Sequence, residues 1–330
     1  MEKSVNEELF EIFIRNFPFV VREKGTVQGI LNHKDNAVIV ERDKNNRLIG
    51  AAVVNKNTIL MLCVDKEYRR KGIGSRLLKE AENLVWQAGF DKINVGNGFD
   101  YLAPGVPTSK RYTEAENEKL YPGLNEESSS FFERRGYLHS WDCNCFDMRF
   151  PLCEWKEKVP YIKDDVFIFA PEDKYKENNT LQKNESYIEK NSSEIVCRFA
   201  EKSDKKAVLT CADNAYPEFT QYYRDDALYQ KENQARVLAA FCGSQVVGIL
   251  ITGVEDREKS LGSIGCMAVH PAWRGRHIAV NLVLAGTKYL KEIGFKEAYL
   301  SYTYSGLDHM YGYAGYKICV YFMMAVKTKK

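Results

Sequence analysis

Apolar and polar positions along the chain predict the same order of elements twice. In the first half, two short β-rich apolar runs, 47–54 and 58–64, flank the polar triplet 55–57, which predicts a β-hairpin. The second half repeats this pattern with apolar runs at 237–243, 246–254 and 263–269, the first two of which flank Ser244 and Gln245.

Apolar residues at helical spacing follow each set of predicted strands. They are Ile73, Leu77, Leu78, Ala81, Leu84 and Val85 in the first helix, and Ile278, Leu282, Val283, Tyr289 and Leu290 in the second. We expect these helices to end at Gly89 and Gly294, because glycine readily adopts the left-handed conformation found after a helix. The pattern then predicts a strand, a short helix and a last strand, with the strands at 92–96 and 137–150, and at 297–302 and 316–326.

The two halves are also related residue by residue. Residues 64–90 align with 269–295 without a gap, at an offset of 205 residues, so that Arg69 matches Arg274. A second pair, residues 131–137 and 310–316, follows each block. The sequence therefore predicts two copies of the same fold.

The repeat predicts two domains, residues 1–153 and 195–330. Residues 154–194 between them are polar and rich in Lys, Glu and Asn, so we expect a linker there. Within this linker the run 166–170 predicts one additional strand.

Composition narrows the classes of partner. The chain has 330 residues, of which 45% are hydrophobic, which is enough for packed cores and excludes a disordered protein. Its 47 basic and 45 acidic side chains leave a net charge of +2, so no global field would capture nucleic acid or an anionic membrane. No secretory signal or long apolar span is visible. We expect a cytoplasmic protein that binds neither nucleic acid nor membrane.

Cysteine usage agrees with that expectation. The nine cysteines are odd in number and scattered, which fits reduced thiols better than a disulfide framework. One group, His139, Cys143, Cys145 and Cys153, falls within 15 residues but contains no Cys-x-x-Cys pair. We therefore expect no metal site.

A candidate binding site lies in the first half of the chain, between the predicted strand 58–64 and the helix that follows it. The run from Arg69 to Ser75 combines three basic residues with Gly72 and Gly74 at a predicted helix start. Unpaired N–H groups and the helix dipole favour an anion at such a place, while glycine allows a ligand to approach the backbone closely. The alternative is an ordinary solvated basic turn. The spacing matches neither a Walker loop nor a dinucleotide-binding fingerprint.

This motif resembles that of the GNAT superfamily of acyl-CoA-dependent N-acetyltransferases. The family has Arg/Gln-x-x-Gly-x-Gly/Ala between a strand and a long helix, followed by a strand and a short helix ending in Tyr-x-x-x-Gly-Phe/Tyr. Arg69, Gly72 and Gly74 match it fully, and Arg274 and Ala279 match it in the second copy. The resemblance implies an α/β fold of two tandem GNAT-like units, each with a mixed, mostly antiparallel sheet flanked by helices.

The resemblance also implies acetyl-CoA as co-substrate. In the first unit, the loop amides would hold its pyrophosphate and the preceding strand would present backbone groups to the pantetheine and the acetyl carbonyl. The implied residues are Leu62, Cys63, Val64, Arg69, Arg70, Lys71, Gly72, Ile73, Gly74 and Ser75. The counterparts in the second unit are Met267, Val269, Arg274, Gly275, Arg276, His277, Ile278 and Ala279.

The two copies depart from the family pattern in opposite ways. The first has the complete loop, but Phe132 stands where the family has its tyrosine, although Asn125 matches a frequent family asparagine. The second keeps the tyrosine as Tyr311, but His277 replaces the central glycine of its loop and Tyr304 replaces the asparagine.

Tyr311 is therefore the candidate general acid, because a phenol can donate a proton to the leaving thiolate and a phenylalanine cannot. The alternative is a core tyrosine clustered with Tyr313 and Tyr316. Asp308 lies one helical turn earlier, where it could bind a cationic amine or accept its proton, or could be a solvated carboxylate. We expect the neighbouring His309 to be an ordinary surface residue.

The first unit carries about 26 residues more than the second between the helix-ending glycine and the final glycine motif. This insertion contains Asp100 and Tyr101 before a Pro-Gly-Val-Pro turn, and together with the Phe-Phe-x-x-x-Gly-Tyr run it resembles tandem GNAT proteins that include amino-sugar acetyltransferases. The resemblance makes Asp100 and Tyr101 candidate sugar contacts. As an alternative, both are simply loop residues.

These observations predict an acetyl-CoA-dependent N-acetyltransferase for a small primary amine, with glucosamine or a glucosaminide as the narrower candidate. Acetylation of a protein, a peptide or a thiol-bearing pseudo-disaccharide precursor, as in the mycothiol-forming tandem relatives, is a variant of that hypothesis. The alternative is a non-catalytic CoA-binding regulatory module. We expect either a monomer with pseudo-dimeric tandem units or a homodimer.

Overall fold

The computed structural model describes residues 4–96, 101–112, 127–156, 167–169 and 195–329. The α-helices are α1 (Val5–Asn16), α2 (Lys24–Leu31), α3 (Ile73–Gln87), α4 (Glu127–Glu133), α5 (Lys205–Ala215), α6 (Ile278–Glu292) and α7 (Asp308–Ala314). None of these described helices is long and apolar enough to cross a membrane.

The strands follow the predicted order closely. They are β1 (Ala37–Arg42), β2 (Leu48–Asn55), β3 (Thr58–Val64), β4 (Lys92–Val95), β5 (Val106–Thr108), β6 (Leu138–His139), β7 (Cys145–Pro151), β8 (Phe167–Phe169), β9 (Ile195–Phe199), β10 (Arg236–Cys242), β11 (Gln245–Asp256), β12 (Leu261–Val269), β13 (Glu297–Tyr304), β14 (Lys317–Met323) and β15 (Ala325–Thr328).

These strands form two mixed sheets, which confirms the predicted α/β fold class. The first sheet has the order β1-β2-β3-β4-β15-β6, and the second has the order β5-β14-β7-β13-β12-β11-β10-β9-β8. Both predicted hairpins are present, β2 with β3 and β10 with β11, and both are antiparallel. Parallel pairs join β3 to β4, β12 to β13 and β8 to β9.

Contacts divide the chain into two compact units. The first contains residues 1–148, 301–306 and 318–330, and the second contains 149–300 and 307–317. Most of the predicted linker, 154–194, lies outside the described residues, so the domain boundaries stay a prediction. Inside it, β8 pairs with β9 in the second unit.

The predicted last strands were wrong in one respect. Each was expected to be continuous, but each is two strands: β6 and β7 in the first copy, β14 and β15 in the second. The break in the second copy falls at Met324. Its N–H donates to His139 Nδ1, and its carbonyl accepts from the Ser140 N–H. Beyond it, β15 pairs with β4 and β6, within the first unit.

Helices cover both faces of the first sheet. On one face α3 buries Ile73, Leu77 and Ala81, and on the other α1 buries Leu9 and Ile12. Both helices use the apolar spacing of one helical face.

A glycine lets each long helix approach its sheet. Gly50 pairs with Val64, and a Cβ there would lie 3.1 Å from both Ile73 and Leu77. Gly248 pairs with the equivalent Val269, and its Cβ would lie 2.7 Å from Ile278 and 3.0 Å from Leu282. The close helix–sheet packing is thus the same in both copies.

Candidate active site

A groove opens in the first unit beside the end of β4. Strands β3 and β4 pair at Thr58 and Ile59, and past that point a cavity of about 860 Å³ lies between the rest of β3 and residues 95–96. Other parts of its wall are the turn after α1, the loop before α3, and α4, contributed by Phe17, Pro18, Phe19, Arg69, Arg70, Gly72, Gly74, Ser75, Phe131, Phe132, Arg134 and Arg135.

Most of the predicted co-substrate residues of the first unit line this cavity. Leu62, Cys63 and Val64 form its strand wall. Ile73 instead points into the core beneath the sheet, and the Lys71 ammonium lies 5.1 Å from the centre of the Tyr68 ring.

The loop that leads into α3 has two left-handed residues. Arg70 has φ +64° and Gly72 has φ +78°, and the helix begins directly after Gly72. The Ser75 N–H turns back to the Gly72 carbonyl at 3.1 Å. Gly72, Gly74 and Ser75 line the cavity, so the N-terminal end of α3, where the helix dipole is positive, borders it.

Positive charge is concentrated around this helix start. Arg135 donates to Ser75 Oγ at 2.6 Å and to the Phe131 carbonyl at 2.8 Å, and its guanidinium lies 3.8 Å from the centre of the Phe131 ring. Burial and the neighbouring Arg134 lower the pKa of Arg135, as expected for a cation held among like charges. An anion at this place would relieve the repulsion.

Cys63 and Phe132, which also line the cavity, provide no reactive group. Burial raises the pKa of the Cys63 thiol to about 12, so it stays protonated and is no nucleophile. Phe132 is buried and packs edge-on against Phe131 and Tyr137. This wall offers no hydroxyl from the position where the family has tyrosine.

The second unit repeats the loop geometry with different residues. Gly275 has φ +79° and His277 has φ +60°, the positions equivalent to Arg70 and Gly72. The His277 side chain is exposed, and α6 begins after it at Ile278. The histidine that replaces the family glycine therefore leaves the backbone path unchanged.

The other predicted co-substrate residues of the second unit divide between solvent and core. Arg274 and Gly275 are exposed, whereas Ile278 is buried and Met267, Val269 and Ala279 are half-buried. The Arg276 guanidinium lies 4.7 Å from the Trp273 ring centre.

The strand β12 before this loop carries a bulge. Cys266 adopts φ +49°, and its carbonyl accepts a hydrogen bond from the fully buried Tyr223 hydroxyl at 2.5 Å. This bond ties the segment after α5 to the middle of β12.

Tyr311 is buried in α7, with 4% of its surface exposed. Its ring packs edge-on against Tyr316, whose hydroxyl lies 3.0 Å from Thr287 Oγ1. Tyr313, the other member of the alternative aromatic cluster, is instead exposed. Asp308 is the first residue of α7 and is half-buried, and His309 is exposed.

Of the two candidate sugar contacts, Asp100 lies outside the described residues. The Tyr101 ring stacks on Tyr302 with centroids 5.3 Å apart, and the Arg22 guanidinium lies over it at 4.4 Å. Its hydroxyl lies 3.3 Å from Ser301 Oγ. Tyr101 therefore belongs to an aromatic group in the first unit.

His139 has a structural role. Its Nδ1 accepts the Met324 N–H, and its Nε2 lies 3.0 Å from the Cys143 carbonyl, so both ring nitrogens contact the main chain. Among the described residues no group of three or more His, Cys, Asp or Glu side chains could hold a metal.

Sequence reasoning missed the turn after α1 and the Arg135–Ser75 pair. Phe17 and Phe19 lie outside the aligned repeat blocks, and Arg135 lies 60 residues from Ser75 in the chain. The internal repeat contained one signal for this pair. The equivalents of Ser75 and Arg135 in the second copy are Val280 and Ala314, so both polar partners are replaced by apolar residues.

Comparison with known proteins places this geometry in a family. The family model described as "Acetyltransferase (GNAT) family" matches residues 6–98 and 205–314, more than half of the chain. No curated protein matches the chain.

Solved structures agree on the fold across nearly the whole chain. A glucosamine N-acetyltransferase region in a fungal multi-domain GH3 β-N-acetylglucosaminidase is 17% identical with a TM-score of 0.69; the match covers 97% of this chain but only 36% of the fungal protein. A GCN5-related N-acetyltransferase from Sphaerobacter thermophilus is 15% identical with a TM-score of 0.64, over 98% and 94% of the two chains.

A tandem GNAT protein from the clavulanic acid biosynthesis pathway is 14% identical with a TM-score of 0.62, again over 98% and 94% of the two chains. These structural matches share the tandem arrangement that the internal repeat predicts. The chain belongs to the acetyltransferase (GNAT) family, as a protein of two tandem units.

Proposed function

We propose that this protein transfers an acetyl group from acetyl-CoA to a small primary amine. The observation that carries the proposal is the groove of the first unit, where a left-handed glycine, a helix N-terminus and several arginines surround one end of an 860 Å³ cavity. A pantetheine-linked phosphate ligand needs a cationic end and a groove that accommodates an extended chain, and this cavity has arginines and a wall formed by Leu62, Cys63 and Val64.

The residues present fit such a ligand. The amides of Arg70 to Ser75 and the arginine side chains would hold the phosphates, and Leu62 to Val64 would line the pantetheine arm. When bound, acetyl-CoA supplies an acetyl group activated as a thioester. The half-buried Phe131 and the buried Phe132 would form an apolar part of the cavity wall.

The acid–base groups are proposed in the second unit. There the equivalent loop, residues 274–279, would hold its own acetyl-CoA. Asp308 takes one proton from the incoming ammonium, the amine nitrogen attacks the acetyl carbonyl carbon, and the Tyr311 hydroxyl protonates the sulfur as the carbon–sulfur bond breaks. The Tyr311 phenolate then takes the second proton from the nitrogen. The two side chains lie one helical turn apart on α7. Positioned acids and bases of this kind typically contribute about 10²–10⁴-fold in rate.

An amino sugar is the proposed acceptor. The proposal is supported by the insertion that carries Asp100 and Tyr101 and by the similarity of the fold to a fungal region that acetylates glucosamine. In this proposal Asp100 and Tyr101 contact the sugar, Tyr101 through its hydroxyl, since its ring already stacks on Tyr302.

The proposed setting is the reducing cytoplasm, which the nine free cysteines support. The proposed assembly is a monomer whose two units take the place of a dimer, with a homodimer as the alternative.

Acetyl-CoA-dependent release of CoA tests the proposal, measured with glucosamine, a short glucosaminide, an aminoglycoside, a polyamine and a peptide. Selective turnover of the amino sugars supports the full proposal, and turnover of another amine keeps the activity but rejects the sugar. Calorimetric titration with CoA accompanies the panel. Tight binding without any turnover would favour a CoA-binding regulatory module, the alternative that Phe132 suggests.

A further inference from the structure

Asn16, the last residue of α1, makes three hydrogen bonds at the edge of the groove. Its Nδ2 donates to the Ile12 carbonyl and to Asp65 Oδ1, each at 2.9 Å. Its Oδ1 accepts from the Arg69 guanidinium at 3.1 Å. The same guanidinium donates through Nε to the Val64 carbonyl at 2.9 Å, so Arg69 bridges the end of β3 and the end of α1.

Asp65 fixes the amide of Asn16 in this orientation. This carboxylate is 6% exposed and also accepts from Arg15 at 3.0 and 3.2 Å and from Arg47 at 3.2 Å. A carboxylate can only accept, so the Asn16 amide must present its NH₂ to Asp65 and its oxygen to Arg69. The network therefore defines which way Asn16 points.

The second unit makes the same connection by other means. Arg274, the equivalent of Arg69, donates through Nε to the Val269 carbonyl at 3.3 Å and through its terminal nitrogen to the Ala215 carbonyl at 3.1 Å. Ala215 ends α5 and precedes an aromatic–proline pair, as Asn16 does at the end of α1. One unit reaches the helix end through a side chain, the other through the main chain.

We propose that Asn16 is a positioning residue for co-substrate binding: it holds Arg69, and with it the phosphate-binding loop, against the end of α1. Both units connect the equivalent arginine to the end of the preceding helix, although through different atoms. This repetition indicates that the connection holds the loop in place. The proposal rests on the proposed binding of acetyl-CoA in the first unit. It assigns no contact between Asn16 and the reacting atoms.

The first test compares Asn16→Ala with Asn36→Ala. Asn36 is also half-buried in the first unit and donates to the Ile30 and Leu31 carbonyls at 2.8 and 3.0 Å, but it does not line the cavity. Calorimetric titration with CoA should show about tenfold weaker binding for Asn16→Ala, the loss expected for one hydrogen bond to a charged group. Asn36→Ala should lower the melting temperature but keep the wild-type CoA affinity.

The second test is a double-mutant cycle with Arg69→Ala. If Asn16 acts through Arg69, adding Asn16→Ala to Arg69→Ala leaves the CoA affinity unchanged, and additive losses overturn the proposal. Asn16→Leu keeps the volume without the amide, and should weaken CoA binding even if Asn16→Ala does not fold. Wild-type affinity in both folded Asn16 variants also overturns it, whereas a wild-type protein that binds no CoA instead rejects the proposed function.

Discussion

Gly72 and His277 adopt the same left-handed conformation at the start of equivalent helices, with φ/ψ of +78°/−6° and +60°/14°. The other left-handed position in each loop has the opposite choice of residue, Arg70 in the first unit and Gly275 in the second. The two left-handed positions of each loop therefore hold one glycine and one strained residue with a side chain. The backbone geometry is retained while the residues that provide it have changed places.

This relationship predicts unequal effects for two glycines of the first loop. Gly72→Ala should lower the free energy of unfolding by about 1 kcal/mol, because a side chain at φ +78° is strained. Gly74→Ala should change it by less than about 0.5 kcal/mol, since the new Cβ would only touch Phe131 at 3.5 Å and the second unit already has Ala279 there. Urea unfolding of both variants measures this, and equal losses would contradict it.

Tyr311→Phe tests the proposed general acid. The kcat for acetyl transfer should fall about 100-fold, while the melting temperature changes little, because the ring remains to pack on Tyr316. Tyr316→Phe is the matched control, as it removes a hydroxyl that lies beside Thr287 and should cost about 1 kcal/mol of stability without a comparable loss of kcat. An unchanged kcat in Tyr311→Phe would show that another group donates the proton.

The arginines around the groove predict salt-sensitive binding. The affinity for CoA should fall as ionic strength rises, whereas the affinity for pantetheine, which has no phosphate, should not. Arg70→Gln should weaken CoA binding about tenfold and flatten the salt dependence. Arg257→Gln, in the second unit, serves as the control, and calorimetry at low and high salt follows both. A salt-insensitive affinity for CoA would argue against phosphate contacts in this groove.

His139 should make the stability of the first unit depend on pH. Burial lowers the pKa of His139, although its contact with the Cys143 carbonyl works in the other direction. Its folded-state pKa therefore lies below the unfolded value of about 6.5, so its contribution is complete above that pH and is lost as pH falls through the folded-state pKa. Protonation also ends the bond from the Met324 N–H to Nδ1.

The measurement is the free energy of unfolding between pH 8 and pH 5 for the wild type and His139→Gln. The wild type should lose stability faster as pH falls, so the difference between the two proteins should shrink. His309→Gln, at an exposed position, should follow the wild type. Parallel curves for the wild type and His139→Gln would refute the prediction.

Sequence alone gave both hairpins, both long helices and the loop that lines the groove, because these depend on local periodicity and on an ungapped repeat. It did not relate Gly50 to Gly248, whose separation of 198 residues differs from the repeat offset of 205. That equivalence became visible only through the pairing of each glycine with Val64 or Val269.

Pairings between distant segments were also beyond the sequence. Nothing in the residues of β15 says that β4 and β6 are its neighbours, because short apolar strands fit many edges equally well. The Arg135–Ser75 and Asn16–Arg69 contacts join segments 60 and 53 residues apart, and polar side chains carry no periodic signal that predicts such partners.

The position of β15 between β4 and β6 has a consequence for how the first unit is made. The residues of β1 to β4 leave the ribosome early, but the strand that covers the edge of β4 spans residues 325–328. At typical synthesis rates that strand appears roughly ten to fifty seconds later, so a bare sheet edge must wait for it. The unit formed mainly by the first repeat therefore depends on a strand that is synthesised after the second repeat, and a fragment cut after the first repeat would expose that edge permanently.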